Sequence, residues 1–373
     1  MSAMSFHDQM SQHPWKEIAA QVRGRSASDV EAALAGRSVN LEGMLSLLSP
    51  AATPYLEEMA RRAHRLTLQR FGRTIQMFAP LYLSNECVNA CVYCGFNRHN
   101  PIERRTLSVD EAEAEGRAIH DLGFRHLLLV SGENPHRVTL DYLRQVLDRL
   151  RPRFSSISIE LHPMGVDAYE ALIDAGVDGL VVFQETYNRE RYGDFHPQGK
   201  KRDFLWRLET PERGARAGFR RVGLGALLGL CDWRVEGFYL ALHAQYLFRN
   251  FWRSQVNISF PRLRPAAGRF EPPHPVSDLH FVQLLLALRL FLPDAGLVLS
   301  TREPPSFRDH LIPLGVTTMS AGSHTEPGGY SRPTDAEAQF SVCDDRPPRA
   351  VAEVIRNRGY EPVWKDWDAA FLQ

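Results

Sequence analysis

The chain has 373 residues, 44% hydrophobic and 24% charged, with 44 basic residues balanced by 44 acidic ones. This is an ordinary globular composition, and the zero net charge gives no reason to expect nucleic acid or a charged membrane surface as a partner. The longest apolar run, residues 281–292, is too short to span a bilayer, and the N-terminus has no apolar signal-peptide core. Five cysteines, three of them clustered, favour metal chemistry in a reducing compartment, so we expect a cytoplasmic protein.

The first 74 residues have a helical pattern. Residues 26–34 begin with Ser26 as a plausible N-cap and carry acidic residues in the first turn. Residues 54–70 place apolar side chains at roughly helical spacing among many arginines. No cluster of potential ligands occurs in this part of the chain. We therefore predict that residues 1–74 form a helical extension that covers a side of the main domain.

From residue 75 onward, short β-rich runs alternate with helical patterns. The predicted strands are 75–83, 126–131, 156–162, 179–186, 222–228, 255–259, 296–300 and 317–321. The predicted helices are 109–122, 140–150, 166–175, 208–217, 238–251 and 278–291, and the loop 193–202 has no clear pattern. Strands separated by helices indicate a parallel sheet. Eight repeats predict an α/β fold, a closed TIM-type (βα)8 barrel over residues 75–325, with a six-strand partial barrel as the alternative.

The C-terminal segment, residues 326–373, is predicted to pack on this barrel. Its turn-rich part, residues 327–330, is either a simple connection or a lid. Further on, the sequence VWKDWD contains Trp364 and Trp367, and we expect this pair to pack the tail onto the barrel.

A barrel places its active-site residues at the carboxyl ends of the strands. Polar or glycine residues stand there after or within seven of the eight predicted strands. They are the cysteine loop, Gly132 and Glu133, Glu160, Glu185, Gly223 and Gly225, Arg302, and Ser320. The sequence therefore predicts one site at this end of the barrel.

Three cysteines, Cys87, Cys91 and Cys94, lie in the loop after the first predicted strand with the spacing C-x3-C-x2-C. Thiolates this close together bind soft metals. Three of them leave one coordination position open, which suits a catalytic zinc or a four-iron cluster with one free iron. A zinc site would need His99 or a more distant histidine as its fourth ligand. A disulfide is disfavoured in a reducing compartment.

This motif, with aromatic Tyr93 before the last cysteine, resembles the signature of the radical S-adenosylmethionine (SAM) enzymes. The resemblance implies a 4Fe–4S cluster held by Cys87, Cys91 and Cys94. It also implies that the open iron binds the amino and carboxylate groups of SAM.

The same resemblance implies further SAM contacts. Gly132 and Glu133 resemble the family's GGE-type element, whose backbone carbonyls take the SAM ammonium group. Arg207, expected at a helix start, is expected to take the SAM carboxylate. Tyr93 and Phe96 are expected to lie along the adenine. Each residue also has an ordinary structural interpretation, as a strand-to-helix turn, a surface arginine or a core aromatic.

Two carboxylates at the predicted strand ends, Glu160 and Glu185, are candidates for the ribose hydroxyls or the sulfonium side of SAM. A buried carboxylate needs a partner, so a structural salt bridge with a neighbouring arginine is the competing interpretation. His162 is close to them in sequence, and we interpret it as a structural histidine.

A finer resemblance extends over nearly the whole chain. The runs PLYLSNECVNACVYCGF, VFQETYNRERYG, LSTRE, MSAGSHTEPGGYS and VWKDWD resemble the tyrosine lyases of thiamine biosynthesis, the 2-iminoacetate synthase family. The resemblance implies that a radical from SAM removes an amino hydrogen from free L-tyrosine. The Cα–Cβ bond then breaks, giving 2-iminoacetate and p-cresol. It further implies thiazole synthase as a partner that receives the imine, and a flavodoxin- or ferredoxin-type electron donor.

An amino acid substrate has a carboxylate to be held, and Arg302 can hold it with two parallel hydrogen bonds. Ser320 could donate to the same carboxylate or bind the amine. In related aromatic amino acid lyases a tyrosine at the position of Tyr82 lines the substrate amino group. The alternative for Arg302 is an ion pair with Glu303 or another acid.

Three rival interpretations remain. The tyrosine lyase that matures the di-iron hydrogenase carries a second cluster on a C-terminal cysteine motif, whereas here only Cys343 follows Cys231, which argues against it. A tryptophan lyase differs only in pocket shape and stays open. A zinc-binding scaffold protein is the alternative from another class.

Overall fold

The computed structural model of the protein describes residues 4–268, 270–366 and 368. Its strands all pair in parallel in the order β2-β3-β4-β5-β6-β7-β8-β1-β9, and β1 also pairs with β2. They are β1 (Thr74–Ser84), β2 (His126–Ser131), β3 (Ser156–Glu160), β4 (Gly179–Glu185), β5 (Arg221–Ala226), β6 (Gln255–Ser259), β7 (Gly296–Leu299), β8 (Thr318–Ser320) and β9 (Glu361–Val363). Because β1 bonds both β2 and β8, the sheet closes into an eight-stranded barrel.

Helices surround this barrel and precede it. They are α1 (Phe6–Ser11), α2 (Trp15–Gly24), α3 (Ala27–Ala35), α4 (Leu41–Leu48), α5 (Leu56–Phe71), α6 (Val109–Asp121), α7 (Leu140–Leu150), α8 (Val166–Asp174), α9 (Arg189–Phe195), α10 (Phe204–Leu208), α11 (Thr210–Ala217), α12 (Trp233–Asn250), α13 (Asp278–Phe291), α14 (Pro305–Leu311) and α15 (Pro348–Asn357). Within the described residues, no helix has the length and apolar character needed to cross a lipid bilayer.

The predicted closed barrel is confirmed, and the six-strand alternative is wrong. Each predicted strand of the barrel occurs within two residues of its expected bounds. The pattern was readable because buried parallel strands are short apolar runs, whereas the helices between them are amphipathic. The helix predicted over 238–251 begins earlier, at Trp233, and the unpatterned loop 193–202 contains the end of α9 and a 3-10 turn.

The N-terminal helices cover one side of the barrel. Helices α1 and α2 pack on α12, and helices α4 and α5 pack on α13. The predicted cap is present, since the Ser26 hydroxyl accepts from the Asp29 backbone N–H and the Asp29 carboxylate accepts from the Ser26 N–H. Helix α13 is buried almost all round because it is covered by the barrel on one side and these helices on the other.

The C-terminal segment runs from the top of the barrel to its bottom. Gln339 and Phe340 lie over the mouth, where they line the cavities described below. Strand β9 then pairs with the first residues of β1 at the opposite end of the barrel. Trp364 packs edge-on against Phe124, with ring centroids 5.1 Å apart, as expected of this tryptophan. Trp367 lies outside the described residues.

The interior of the barrel contains a cavity. A (βα)8 barrel normally fills its centre with layers of branched apolar side chains. Here many interior positions carry small or polar residues, and together with apolar neighbours they line a cavity of about 150 Å³. Representative lining residues are Gln76, Ser156, Ser158, Asn257, Ser259, Ser300, Thr318 and Ser320. We call this space the barrel cavity.

A buried carboxyl group lies where α12 packs behind the end of β4. Glu236 is 1% exposed, and it accepts hydrogen bonds from the Thr186 hydroxyl and from the Tyr187 backbone N–H. Burial raises the pKa of Glu236 from 4.5 to about 8, although the two hydrogen bonds oppose this change. The group is therefore mostly protonated at neutral pH.

The Glu236→Gln variant is expected to become more stable than the wild type as pH rises. Protonated Glu236 contributes stability that is fully present below about pH 4.5 and lost as pH rises through about pH 8. Glutamine cannot ionise, so the difference in Tm should widen by several degrees between about pH 5 and about pH 8.5. Glu353→Gln, at an exposed position of α15, is the control. A pH-independent difference for Glu236→Gln would contradict this assignment.

Candidate active site

The cysteine loop leaves the carboxyl end of β1 and lies over the barrel mouth. Cys91 is buried, while Cys87 and Cys94 are partly buried, and all three are free thiols. The Asn89 backbone N–H donates to Cys87 Sγ at 3.5 Å, and the Gln339 amide donates to Cys94 Sγ at 3.8 Å. The loop thus presents three sulfurs, two of which already receive hydrogen bonds.

The environment of these sulfurs fits a metal cluster. Burial raises the pKa of the Cys87 thiol to about 11, and it also raises the pKa of Cys91 and of Cys94. Thiolates at such positions need a compensating cation, which an iron cluster provides. Within the described residues, no three His, Cys, Asp or Glu side chains surround a single metal position. A four-iron cubane takes each thiolate on a different iron, so its cysteines need not converge on one point.

Gly132 lies directly beneath the cysteine loop. A Cβ on Gly132 would lie 2.8 Å from the carbonyl carbon of Glu86 and closer still to its oxygen. The Gly132 N–H donates to the Ser84 carbonyl at 2.8 Å, and Val88 N–H donates to the Glu133 carbonyl at 3.1 Å. Only glycine lets the end of β2 approach the cysteine loop this closely, because the obstructing atoms are backbone.

The Gly132→Ala variant is expected to displace the cysteine loop and to weaken SAM binding at least about tenfold, since backbone atoms cannot yield without moving the loop. Iron content after reconstitution and the Kd for SAM measure both effects. Gly165→Ala is the matched control, because Gly165 has a negative φ and a Cβ added there would have no atom within 4 Å. Wild-type SAM affinity in Gly132→Ala would contradict the placement of this glycine in the site.

Glu133 and Arg207 form a buried ion pair at 2.7 Å. Asn89 on the cysteine loop donates to the other oxygen of Glu133 at 2.9 Å, and Arg207 also donates to the Phe183 carbonyl at 2.5 Å. Burial acts to raise the pKa of Glu133, but the charges of Arg207 and Lys201 outweigh this effect and lower the pKa. This network ties the cysteine loop to the ends of β2 and β4.

The expected position of Arg207 is corrected by the structure. Arg207 lies in the last turn of α10, not at a helix start, and it is buried rather than on the surface. Its guanidinium points to the end of β2 because α10 is a short separate helix ahead of α11, and Pro211 in the first turn of α11 marks the break between them.

Glu185 pairs with Lys201 at 2.5 Å, and both side chains are buried. Glu185 has a φ of 70°, the only positive value among the non-glycine residues that the structure describes. Strained backbone of this kind collects at functional sites. The ion pair with Lys201 agrees with the competing interpretation of Glu185 as a member of a structural salt bridge, although the partner is a lysine and not an arginine. Lys201 lies in the 3-10 turn of the loop 193–202, and sequence reasoning missed it.

Glu160 and Arg302 face each other across the mouth without ion pairs of their own. Among the described residues, neither side chain makes a hydrogen bond or salt bridge. Burial, together with the charge of Glu185, raises the pKa of Glu160 to about 7. Arg302 stacks on the Phe340 ring at 3.4 Å from its centroid. The alternative that Arg302 pairs with Glu303 is wrong, because Glu303 pairs with Arg262.

Tyr82 and Cys94 are linked through a residue that the sequence did not single out. The Tyr82 hydroxyl donates to Gln339 Oε1 at 2.7 Å, and the amide of Gln339 reaches Cys94. Phe96 is only 1% exposed and packs edge-on against Tyr82, so its ring has no free face for an adenine. Tyr93 instead lines the mouth, with its hydroxyl 2.8 Å from His196 Nε2.

Ser320 has structural bonds that the sequence could not show. Its hydroxyl accepts from the Thr301 backbone N–H at 3.2 Å, and its carbonyl accepts from Arg308 at 2.5 Å. Arg308 forms a fully buried ion pair with Asp344, which anchors the C-terminal segment. Ser320 therefore also positions the loop that carries Arg302. The nearby Ser323 hydroxyl is buried without a partner in the described part of the chain.

Two cavities meet at this mouth. A cavity of about 50 Å³, the mouth cavity, is lined by Tyr93, Cys94, Glu160, Phe183, Glu185, Lys201, Leu227, Leu263, Arg264, Arg302, Gln339 and Phe340. The barrel cavity shares Glu160, Phe183, Arg302, Gln339 and Phe340 with it. The structure thus brings most of the predicted site residues together, and the shared wall contains Arg302, which has no ion pair in the part of the chain that the structure describes.

Comparisons with known proteins agree with this geometry. The sequence profile of the Radical SAM superfamily matches residues 81–239, and that of the Biotin and Thiamin Synthesis associated domain matches residues 259–361. Among solved structures, HydG, a maturase of the FeFe-hydrogenase, superposes with a TM-score of 0.90 at 31% identity, covering 98% of this chain and 84% of HydG. The chain is therefore an enzyme of the radical SAM class.

Curated relatives define the family within this class. The chain is 47% identical to the 2-iminoacetate synthase of Escherichia coli K12 over 366 residues, which cover 98% of this chain and 97% of that protein. The 2-iminoacetate synthase of Salmonella typhimurium LT2 is 46% identical over the same shares of the two chains. This chain belongs to the 2-iminoacetate synthase family, and the zinc-scaffold alternative is thereby discarded.

Proposed function

We propose that this enzyme cleaves the Cα–Cβ bond of free L-tyrosine to 2-iminoacetate and p-cresol, with SAM converted to 5′-deoxyadenosine and methionine. The observation that carries the proposal is Arg302. Its guanidinium is partly buried and has no ion pair within the described residues, an arrangement that is costly unless an anion joins it. Arg302 stands in the wall shared by the two cavities, where the carboxylate of an amino acid supplies that anion.

The cofactor assignment rests on the fit of the cysteine loop. Cys87, Cys91 and Cys94 would hold a 4Fe–4S cluster through three irons, leaving the fourth iron for SAM. When bound, the cluster supplies the electron that cleaves SAM to a carbon radical, which is the difficult step of the chemistry. The residues of the chain have the simpler task of binding, orienting and shielding.

SAM-facing roles follow the hydrogen-bond network. We assign the backbone at Gly132 to the SAM ammonium group and the Glu133–Arg207 pair to the methionine end. Glu185, held by Lys201, and Glu160 remain candidates for the ribose hydroxyls. Tyr93 keeps its proposed adenine contact.

Substrate orientation comes from the opposite wall of the mouth cavity. Arg302 holds the tyrosine carboxylate, and Phe340 fixes the plane of its guanidinium by stacking. Tyr82, fixed by Gln339, would then lie beside the substrate amino group. Ser320 supports the Arg302 loop, and its hydroxyl hydrogen stays available to the carboxylate. Such alignment of one amino hydrogen with the radical is what the reaction requires of the protein.

The C-terminal segment has the position of a lid. Gly95 lies against the backbone of the segment, where a Cβ would meet the Ala338 and Gln339 carbonyl oxygens at 2.6 Å and 2.7 Å. The Gly95 N–H donates to the Gln339 carbonyl at 3.0 Å, and Gln339 N–H donates to Thr325. We propose that this segment excludes water from the radical, rather than serving as a simple connection.

The test is an anaerobic turnover with reconstituted enzyme, a chemical reductant, SAM and L-tyrosine. We expect 5′-deoxyadenosine and p-cresol in equal amounts. 5′-Deoxyadenosine without p-cresol from tyrosine, but with cleavage of L-tryptophan, would contradict the substrate assignment and favour the tryptophan lyase alternative.

Thiazole synthase as the acceptor of the imine, a flavodoxin- or ferredoxin-type electron donor and a cytoplasmic location remain proposals that follow from the family. Co-purification of the two proteins from one extract, with tyrosine-dependent thiazole formation, tests the first of them.

A further inference from the structure

The barrel cavity extends from the active-site mouth to the amino-terminal ends of the strands. At its far end it is lined by Gln76, His126, Ser156 and Arg221, which we call the barrel floor. Arg221 donates to Gln76 Oε1 at 3.0 Å, a bond that crosses the barrel from β5 to β1. The floor is therefore polar and lies on the opposite side of the barrel from the cysteine loop.

The floor carries unpartnered polar atoms. Arg221 is 8% exposed and His126 is 3% exposed, and both line the cavity. Arg221 Nε and His126 Nδ1 have no hydrogen-bond partner within residues 4–268, 270–366 and 368. Buried polar atoms are normally satisfied, so unpartnered nitrogens on two residues that line the same cavity indicate a place for a polar ligand.

Charge favours an anion at this place. Asp178 is shared by two arginines, at 2.5 Å from Arg220 and 3.6 Å from Arg221. The surplus positive charge is met by Asp366 of the C-terminal segment, which lies 2.7 Å from His126 Nε2 and accepts from the Gln76 amide. Burial opposes ionisation, yet the bond to His126 and the nearby arginines keep the pKa of Asp366 low. The floor already stabilises one carboxylate.

Between the mouth and the floor the cavity wall is largely apolar, with Phe78, Val181 and Val298 among its residues, but it also carries three polar side chains. Ser158, Asn257 and Ser259 line it, and their side chains make no hydrogen bonds among the described residues. Arg221 is level with Gly179, six residues before Glu185 on β4, so the floor and the mouth lie about 20 Å apart. These three side chains offer hydrogen bonds to a small polar molecule on its way between the two ends.

We propose that the barrel floor is a second carboxylate-binding site, through which a two-carbon 2-imino acid or 2-oxo acid leaves the enzyme at the end opposite to the cysteine loop. The identity of the ligand rests on the proposed function, because 2-iminoacetate is the small carboxylate produced at the mouth. Asp366 closes the exit, and the ligand carboxylate replaces it on His126 and Gln76. This route separates the imine from the substrate entrance.

The site itself is tested without turnover. Glyoxylate, the stable 2-oxo counterpart of the imine, is titrated calorimetrically into reconstituted enzyme that is saturated with SAM and L-tyrosine in the absence of reductant, so that the open iron and the Arg302 site are both filled. We expect one glyoxylate site, weakened at least about tenfold in Arg221→Met. Arg220→Met is the control, since Arg220 also contacts Asp178 but does not line the cavity. No glyoxylate binding by the wild type, or equal binding by Arg221→Met, would overturn the proposal.

A second variant tests the floor site even if Arg221→Met fails to fold. Asp366→Ala removes the competing carboxylate, so it should bind glyoxylate more tightly than the wild type, at least about threefold. Control substitution Glu361→Gln, on exposed β9, should leave the affinity unchanged. Weaker binding by Asp366→Ala would count against the floor site.

The passage is tested in a single turnover. Water adds to free 2-iminoacetate and releases ammonia and glyoxylate, so glyoxylate in solution reports release. Ser259→Leu narrows the cavity, and we expect p-cresol at the wild-type rate but glyoxylate at least about tenfold more slowly, with Ser259→Ala as control. Equal glyoxylate release by Ser259→Leu would refute the passage. Absence of p-cresol in the wild type would instead refute the proposed function, leaving the glyoxylate titration to decide the site.

Discussion

The Cys91→Ser variant is expected to bind almost no iron after reconstitution and to form no detectable p-cresol. Cys91 is the buried member of the cysteine loop, and its backbone carbonyl accepts from Cys94 N–H and from the Asn97 amide. Serine keeps the shape of the loop but offers no thiolate, and iron–sulfur clusters depend on thiolate ligands. Loss of the cluster removes the only source of electrons for SAM cleavage.

Iron and sulfide analysis with an anaerobic assay checks this prediction. Cys343→Ser is the matched control, because Cys343 lies in the C-terminal segment, far from the loop in sequence, and should load a full cluster with wild-type activity. Activity in Cys91→Ser comparable to that of the wild type would show that these cysteines do not hold the catalytic cluster.

The Arg302→Gln variant is expected to bind L-tyrosine far more weakly while SAM binding persists. Removing one partner of a buried, hydrogen-bonded charge pair costs about 2–5 kcal/mol, which corresponds to roughly 30-fold to several-thousand-fold in Kd. The effect should be large here because no acidic side chain of the described residues pairs with Arg302, whose guanidinium stacks on the Phe340 ring. The substrate carboxylate is therefore its expected ionic partner. The tyrosine Kd of Arg302→Lys should lie between the values of Arg302→Gln and the wild type, since lysine keeps the charge but lacks the planar guanidinium group.

Equilibrium binding of tyrosine and of SAM to the reconstituted variants separates the two effects. A tyrosine Kd unchanged in Arg302→Gln would remove this residue from the substrate site. A parallel loss of SAM affinity would place it on the cosubstrate instead.

The fold was largely predictable because its signals are local. Each barrel strand is a short apolar run, and each intervening helix has its own amphipathic period, so periodicity alone located them. Strand β9 escaped prediction because Glu361–Val363 is short and acquires its partner only when it meets β1. The placement of Arg207 failed because the helix was predicted to begin at residue 208, so the short helix α10 before it was missed, although Pro211 marks the start of α11.

The site was predictable only where a motif spans neighbouring residues. The spacing of Cys87, Cys91 and Cys94 identifies them as a metal-binding motif. No local pattern identifies Lys201 or Gln339, because Lys201 contacts Glu185 and Gln339 contacts Tyr82 only after distant segments have folded together. Nothing in the sequence around either residue distinguishes it from an ordinary surface position.

The central claim, that a radical from SAM removes an amino hydrogen of L-tyrosine in this site, is tested most directly by turnover in D2O. Amino hydrogens exchange with solvent, whereas hydrogens on carbon do not. Mass spectrometry should find one deuterium in the 5′-deoxyadenosine that accompanies p-cresol. Unlabelled 5′-deoxyadenosine formed together with p-cresol would show that the hydrogen comes from carbon and would contradict the account.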